Sequence, residues 1–124
     1  MKISELTENA HDNAQNKGFW EHYDSVIESM YAELEKENRK FDHRKIEATA
    51  EAYLCQKLLL ISSEVNEAME ALRNGYPEEF EVELADILVR TGDLAGKLGI
   101  DLEKRVQDKM KKNKDRSTRH GGRF

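Results

Sequence analysis

The sequence has few of the residues that interrupt or cross-link a chain. Its 124 residues include one proline, Pro77, and one cysteine, Cys55. A single cysteine excludes an internal disulfide, so we expect a protein of the reducing cytoplasm whose Cys55 thiol packs on a helix face beside Leu54. The scarcity of proline and of β-branched runs favours helices over strands.

Long apolar runs are also missing. The longest aliphatic run is Leu58–Ile61, far short of the roughly 20 residues that a membrane-spanning helix requires. The first residues lack the pattern of a signal peptide, so we expect no membrane association and a cytoplasmic location. Only 38% of the residues are hydrophobic and 36% are charged, which fits one small helical domain over residues 1–124 with wide solvent-exposed faces.

The charge is unevenly distributed along the chain. Residues 104–124 hold nine Lys or Arg against two Asp, a net charge of +7, which leaves −12 for residues 1–103 of the total of −5. An acidic body with a basic tail fits nucleic-acid binding, and it also fits a site that holds a metal ion and a phosphate together. The acidic body would repel a duplex, so nucleic acid is the less favoured partner.

Hydrophobic spacing and capping residues predict an all-α protein, a bundle of four to five helices. A capping residue or proline begins each predicted helix, and the segments are Ser4 to Gly18, Asp24 or Ser25 to about residue 40, Asp42 to Gly75, Pro77 to Gly99, and Asp101 to about Asn113. The second segment is an extra charged helix over about residues 24–40, and residues 117–124 form an irregular basic tail.

Two features of these helices indicate close packing. The third helix has roughly 30 residues and a length of about 45 Å. That is more than a chain of this size covers, so we expect part of it to pack on a second subunit. Gly92 and Gly96, four residues apart in the fourth helix, indicate the close approach of another backbone.

The third helix carries two stripes of residues between positions 58 and 73. One stripe is apolar and we expect it to form the core: Leu58, Ile61, Val65, Ala68, Met69 and Leu72. The second stripe places Glu64 and Glu67 between Leu60 and Ala71, where an ionised carboxylate is costly unless it is paired or bound to a cation. The alternative is an ordinary charged helix face in a chain that is rich in charge.

A second acidic pair, Glu83 and Asp86, has the same spacing on the fourth helix. By itself this pair fits a solvent-exposed face on which acids pair with bases one turn later, as Asp86–Arg90 and Asp93–Lys97. The short turn at residues 75–77 favours another interpretation, because both acidic pairs lie eight to eleven residues from Gly75. Antiparallel helices would bring them to one level.

Four carboxylates at one level repel one another unless a cation neutralises them. Oxygen ligands select Mg²⁺ or Mn²⁺ over zinc. The candidate ligands are Glu64, Glu67, Glu83 and Asp86. A di-iron site would need two Glu-x-x-His pairs, and the sequence offers only Glu8 with His11.

The last predicted helix carries cationic side chains that could lie near the acids. Lys109, Asn113 and Arg116 continue the line of Leu102 and Val106, so we expect them to face the bundle, where Lys and Arg bind phosphate. A basic, solvent-exposed helix end is the alternative. Carboxylates holding Mg²⁺ near cations indicate a polyphosphate substrate attacked by water, since the metal polarises phosphoryl oxygens and activates water. The sequence has no Gly-rich phosphate loop.

With these residues, the chain resembles the MazG-like all-α nucleoside triphosphate pyrophosphohydrolases, especially the compact single-domain kind of phages and bacteria. Ser63 stands where many members have a further Glu. The matching stretches are residues 13–20, 58–73, 83–88 and 98–102, and Lys109, Met110, Asn113 and Arg116 followed by residues 120–123.

The resemblance implies a four-helix core completed by dimerisation, and Mg²⁺ on the four acids. It also implies hydrolysis of (deoxy)nucleoside triphosphates to monophosphate and pyrophosphate, as in cleansing of the nucleotide pool. It implies substrate contacts by Lys109, Asn113 and Arg116 at the phosphates and by Phe19 and Trp20 at the base, with core packing as the alternative for the two aromatics. Two other functions stay open: a phosphoribosyl-ATP pyrophosphohydrolase, and a non-catalytic module that binds nucleic acid through residues 104–124.

Overall fold

The computed structural model describes residues 1–37 and 42–116. These residues form five α-helices and no strand, which confirms the all-α prediction. The helices are α1 (Ile3–Asn16), α2 (Glu21–Glu37), α3 (His43–Asn74), α4 (Pro77–Lys97) and α5 (Leu102–Asp115). The end of the predicted helix over 24–40 and the predicted tail over 117–124 lie outside the described residues.

The two longest helices begin and end where local signals predict. Asp42 caps α3 by accepting a hydrogen bond from the backbone N–H of Lys45 at 2.9 Å. Gly75 ends α3 in the left-handed conformation with φ +75°, which favours glycine. Pro77 occupies the first turn of α4, where a missing N–H removes no helical hydrogen bond. Asp101 caps α5 in the same way as Asp42 caps α3.

The predicted start of α1 is wrong. Its N-cap is Lys2, and Ser4 lies inside the first turn. The backbone N–H of Lys2 donates to the carboxylate of Glu5 at 3.1 Å, and that of Ser4 donates to Glu103 of α5 at 3.1 Å. A tertiary acceptor therefore satisfies the backbone group of Ser4, which a local capping rule does not anticipate.

The predicted start of α2 is also wrong. The helix begins at Glu21, so Asp24 and Ser25 lie inside it. The backbone N–H of Asp24 already donates to the carbonyl of Trp20 at 2.9 Å. The chain thus enters α2 directly from the turn that follows α1.

Helix α4 is central, because it packs against α3 and against α1, while α2 packs on α3 and α5 packs on α1. Glycines allow the approach of α1. A Cβ added at Gly92 would lie 3.4 Å from Leu6, and one added at Gly96 would lie 2.6 Å from the Cβ of His11. The predicted close approach is confirmed, and Gly96 has no space for a side chain.

The apolar stripe of α3 is exposed, so the prediction that it forms the core is wrong for a single chain. Of its six residues only Ala68 is buried, and Leu58 and Leu72 are 54% and 64% exposed. The stripe with the acids packs against α4 instead, since Glu64 and Ala71 are buried. Helical periodicity identifies both stripes but does not determine which one meets a helix of the same chain.

Ring contacts join α2 to the first part of α3. Tyr23 lies edge-to-face against Tyr53 at 5.8 Å between ring centroids, and Tyr31 contacts His43 at 6.2 Å. Cys55 is exposed, so the expectation of a packed thiol is wrong. In the part of the chain that the structure describes, every helix is too short or too polar to cross a membrane.

Candidate active site

Three of the four predicted acids meet at the contact between α3 and α4. Glu64, Glu83 and Asp86 each place a carboxylate oxygen within 4.8 Å of the other two. The short turn after α3 makes the helices antiparallel neighbours, so acids at i and i+3 on each helix reach one level. The result is a cluster of oxygen donors of the type that binds hard divalent cations.

Glu83 has an unsatisfied oxygen in this cluster. Its Oε2 is buried and has no hydrogen-bond partner within residues 1–37 and 42–116. Hydrogen bonding to Glu64, burial and the neighbouring Glu67 raise the pKa of Glu83 from 4.5 to about 7. The carboxyl group therefore retains a proton close to neutral pH unless a cation takes its place.

Glu64 is the most buried member of the cluster, with 8% of its surface exposed. Arg90 of α4 donates from Nε to its Oε1 at 3.1 Å. Hydrogen bonding to Glu83, and then to Arg90, outweighs burial and holds the pKa of Glu64 below its ordinary value. The alternative interpretation of Asp86 and Arg90 as a local ion pair does not hold, because Arg90 pairs with Glu64 and a buried carboxylate costs more to leave unpaired than a half-buried one.

Glu67, the fourth predicted acid, borders the cluster. Its side chain is exposed, and both hydrogen bonding and its charge act on Glu83 to raise the pKa of that carboxyl. Glu67 and Glu83 line a cavity of about 300 Å³ together with Asn74 and Tyr76, next to the α3–α4 turn. Hydrogen bonding to Glu64 and Glu83 therefore places Glu67 at the edge of the cluster.

A groove leads from the acids toward α1. Its first cavity, about 220 Å³, is bordered by Glu64 and Asp86 of the cluster and by Asn13, Phe19, Arg90 and Asp93. An adjoining cavity of about 280 Å³ shares the last three of these residues and adds Lys57. The groove thus joins the acid cluster to an aromatic ring and two cationic side chains.

The sequence matches the model of a known protein family over the part of the chain that contains the acid cluster. The model of the MazG nucleotide pyrophosphohydrolase domain matches residues 54–120, which is more than half of the chain. The chain belongs to the MazG family. At the family level this makes it a nucleotide pyrophosphohydrolase, and it confirms the resemblance read from the sequence. No curated protein and no solved structure shows a significant match.

The MazG match covers all four acids on α3 and α4 but leaves out Phe19 and Trp20, which precede it. Phe19 is 57% exposed and borders the groove. Trp20 is fully buried, and its indole N–H donates to Asp93 at 2.8 Å. Trp20 therefore packs in the core, as the alternative interpretation of the two aromatics proposed. The ring of Phe19, in contrast, is accessible from the groove.

Asp93 and Lys97, a local ion pair in the alternative interpretation of this helix face, both have tertiary partners instead. Oδ1 of Asp93 accepts from Trp20 and lies 3.0 Å from Nδ1 of His11 on α1. Lys97 pairs with Asp24 of α2 at 2.5 Å. Burial opposes ionisation of Asp24, but hydrogen bonds from Lys97 and Gln15, together with the nearby positive charge of Lys97, outweigh burial and lower the pKa of Asp24. These contacts attach α1 and α2 to α4.

Three groove residues were not among the predicted site residues: Lys57, Arg90 and Asp93. Helical spacing contained the signal for two of them, because Lys57 precedes Glu64 by seven residues and Asp93 follows Asp86 by seven residues. Residues seven apart lie on one helix face. Interpreting the cations and acids of α4 as local ion pairs concealed their connection to the acid cluster.

Lys109, Asn113 and Arg116, predicted to contact phosphate, lie on or next to α5, which packs on α1. Lys109 is exposed, while Asn113 and Arg116 are half-buried. The cavities that border the acids are lined by α1, α3, α4 and the turns between helices. The role of these three residues at the phosphates therefore stays a prediction.

Proposed function

We propose that this MazG-family protein hydrolyses (deoxy)nucleoside triphosphates between the α and β phosphates, with Mg²⁺ or Mn²⁺, and releases nucleoside monophosphate and pyrophosphate. One observation carries the proposal: the cluster of Glu64, Glu83 and Asp86 lies at the end of a groove and contains a buried carboxylate oxygen that has no hydrogen-bond partner among the described residues. An anionic substrate is excluded from such a cluster unless cations neutralise it.

The donor set fits a hard divalent cation. Among the described residues its donors are three carboxylate groups, and hydrogen bonding to Glu64, burial and the neighbouring Glu67 raise the pKa of Glu83, which supports a site that a cation completes. Glu64, Glu83 and Asp86 would hold the ion, with Glu67 beside them. When bound, the ion polarises the phosphoryl oxygens and offsets the charge that develops on them.

The groove supplies the remaining contacts for a nucleotide. Lys57 and Arg90 border it and carry positive charge toward the phosphates, for which the planar guanidinium is well suited. Phe19 offers an exposed ring for the base. Lys109, Asn113 and Arg116 complete the proposed phosphate contacts from the C-terminal end of the domain.

Water is the proposed nucleophile. The hydroxyl of Ser63 donates to the carbonyl of Leu60 at 3.0 Å, so a local backbone partner satisfies it. Ser63 has no carboxylate with which to accept a proton from water. The acids at hand for that role are those of the cluster and Glu67.

We further propose that the working protein is a cytoplasmic homodimer of single-domain chains, or a larger homo-oligomer. The large exposed apolar residues of α3 and α4 include Leu58, Leu59, Val65, Met69, Leu72, Val82, Leu84, Leu88 and Val89. A surface of this kind is rare on a monomer. A second copy that presents the same stripes buries both and completes a four-helix core.

The test is a panel of the common ribo- and deoxyribonucleoside triphosphates and phosphoribosyl-ATP, with pyrophosphate release measured with and without Mg²⁺. We expect Mg²⁺-dependent release from at least one triphosphate, and release from phosphoribosyl-ATP alone would assign the related activity instead. Glu67→Gln and Asp86→Asn are expected to abolish turnover while helical circular dichroism is retained. Absence of pyrophosphate from every nucleotide would overturn the proposal.

A further inference from the structure

Asp93 lies in the groove on the side away from the acid cluster. It follows Asp86 by seven residues on α4, so the two lie on one helix face, about 10.5 Å apart along the axis. Phe19 borders the same cavity. The groove therefore presents metal-binding acids, then Arg90, then an exposed ring and a second carboxylate, which is the order of phosphates, sugar and base along a nucleotide.

One of the two oxygens of the Asp93 carboxylate, Oδ1, contacts other side chains of the domain. Its Oδ1 accepts the indole N–H of Trp20 at 2.8 Å and lies 3.0 Å from Nδ1 of His11. Because Trp20 is fully buried, this contact fixes the orientation of the carboxylate. Oδ2 has no hydrogen-bond partner among the residues described, and the side chain remains 16% exposed at the groove.

An ionised carboxylate oxygen accepts hydrogen bonds and donates none. In a partly desolvated groove, a ligand that offers an N–H to Oδ2 is favoured over one that places a second acceptor there. Cytosine presents an amino group at C4, while uracil and thymine present a carbonyl oxygen at that position. Aspartate accepting from the C4 amino group of cytosine is an established pairing in nucleic-acid recognition.

We propose that Asp93 is a specificity-determining residue, whose Oδ2 accepts a hydrogen bond from the exocyclic amino group of the substrate's base. The ring of Phe19 contacts the face of that base. This inference rests on the proposed hydrolysis and narrows its substrates to nucleotides with an amino-bearing base. Buried Trp20 and His11 act through Asp93 as positioning residues.

Unmodified protein provides the first test. CTP and UTP differ at C4, and a CTP analogue with only hydrogen at C4 removes the donor without adding a carbonyl group. We expect kcat/KM for CTP to exceed that for UTP and for the analogue by about tenfold or more. Equal kcat/KM values for CTP and the analogue, with pyrophosphate still released, would overturn the proposed role of Asp93 but not the proposed hydrolysis. Absence of release from all three and from the wider panel would overturn both proposals.

Asp93→Asn provides the second test, because it replaces Oδ2 with an amide donor and keeps an oxygen for Trp20. We expect the CTP/UTP ratio of kcat/KM to fall by about tenfold or more. The matched control is Asp108→Asn on exposed α5, where Asp108 pairs with Lys104, and it should leave the ratio unchanged. If Asp93→Asn lowers both rates equally, Asp93 only positions Trp20 and the proposal is wrong. If the variant does not fold by circular dichroism, the analogue series decides.

Discussion

Among single residues, Glu83 links the acid cluster to pH. Its pKa is about 7 in the fold and 4.5 as the ordinary value, so the folded chain holds a proton that the unfolded chain releases. The resulting stabilisation is fully present below pH 4.5 and is lost as pH rises through about 7. We expect the Tm of the metal-free protein to fall between about pH 5 and pH 7 and to level off above about pH 8, measured by thermal circular dichroism.

Glu83→Gln is the control for this prediction, because its amide does not titrate over that range. Its Tm should change less with pH than that of the wild type, and parallel curves would contradict the assignment. In the proposed site Mg²⁺ competes with the Glu83 proton, so added Mg²⁺ should raise the wild-type Tm more at about pH 8 than at about pH 6.

Arg90 pairs with a carboxylate that the proposed metal ion would also bind. Its Nε donates to Glu64 at 3.1 Å, so cation binding must compete with the guanidinium. We expect Arg90→Gln to bind Mg²⁺ several-fold more tightly in the absence of nucleotide, measured by isothermal titration calorimetry, and to have a higher KM because a phosphate contact is lost. Lys57→Gln should raise KM without tightening Mg²⁺ binding. Unchanged Mg²⁺ affinity in Arg90→Gln would contradict competition at Glu64.

At the scale of helices, the fold depends on the contact between α1 and α4. A Cβ at Gly96 would lie 2.6 Å from the Cβ of His11 and 3.0 Å from the carbonyl oxygen of Thr7, neither of which is a flexible chain end. We expect Gly96→Ala to lower the free energy of unfolding by about 1–3 kcal/mol, measured by urea denaturation. Gly92→Ala is the control, since its nearest neighbour would lie at 3.4 Å. Equal stability of the two variants would contradict this account of the contact.

Local signals predicted the boundaries of α3 and α4 and the caps at Asp42 and Asp101, because capping groups and turn residues act within a few positions. The short turn also predicted that acids of α3 and α4 lie together, since the turn length fixes the register of neighbouring helices, and three of the four do. The starts of α1 and α2 were not predictable in this way. Ser4 finds its acceptor on α5, a partner 99 residues away in sequence.

The partners of Arg90 and Asp93 in the groove were not predictable from local rules either. Arg90 and Asp93 each have an opposite charge one turn away on α4, which favours a local pair. The structure pairs them instead with Glu64 on α3 and with Trp20 and His11 near α1. These partners depend on which side chains are buried in the folded protein, and burial cannot be read from a single sequence.

At the scale of the whole molecule, the exposed stripe of α3 predicts self-association. Leu72 is 64% exposed on this stripe, and we expect Leu72→Glu to weaken the dimer by about tenfold or more because a charge enters an apolar contact. Analytical ultracentrifugation measures the dissociation constant. Met110→Glu on α5 is the matched control, since Met110 is 67% exposed but lies off the stripe. A monomeric wild type, or equal effects of both changes, would contradict the proposed interface.

The acid cluster and the groove together make one chemical claim about the whole protein: a divalent cation on α3 and α4 enables cleavage between the α and β phosphates. Phosphorus NMR of a nucleoside triphosphate incubated with the protein tests it in a single spectrum. The account predicts resonances of monophosphate and pyrophosphate that require Mg²⁺ and are absent with Asp86→Asn. Diphosphate with inorganic phosphate, or the same products without any divalent cation, would contradict it.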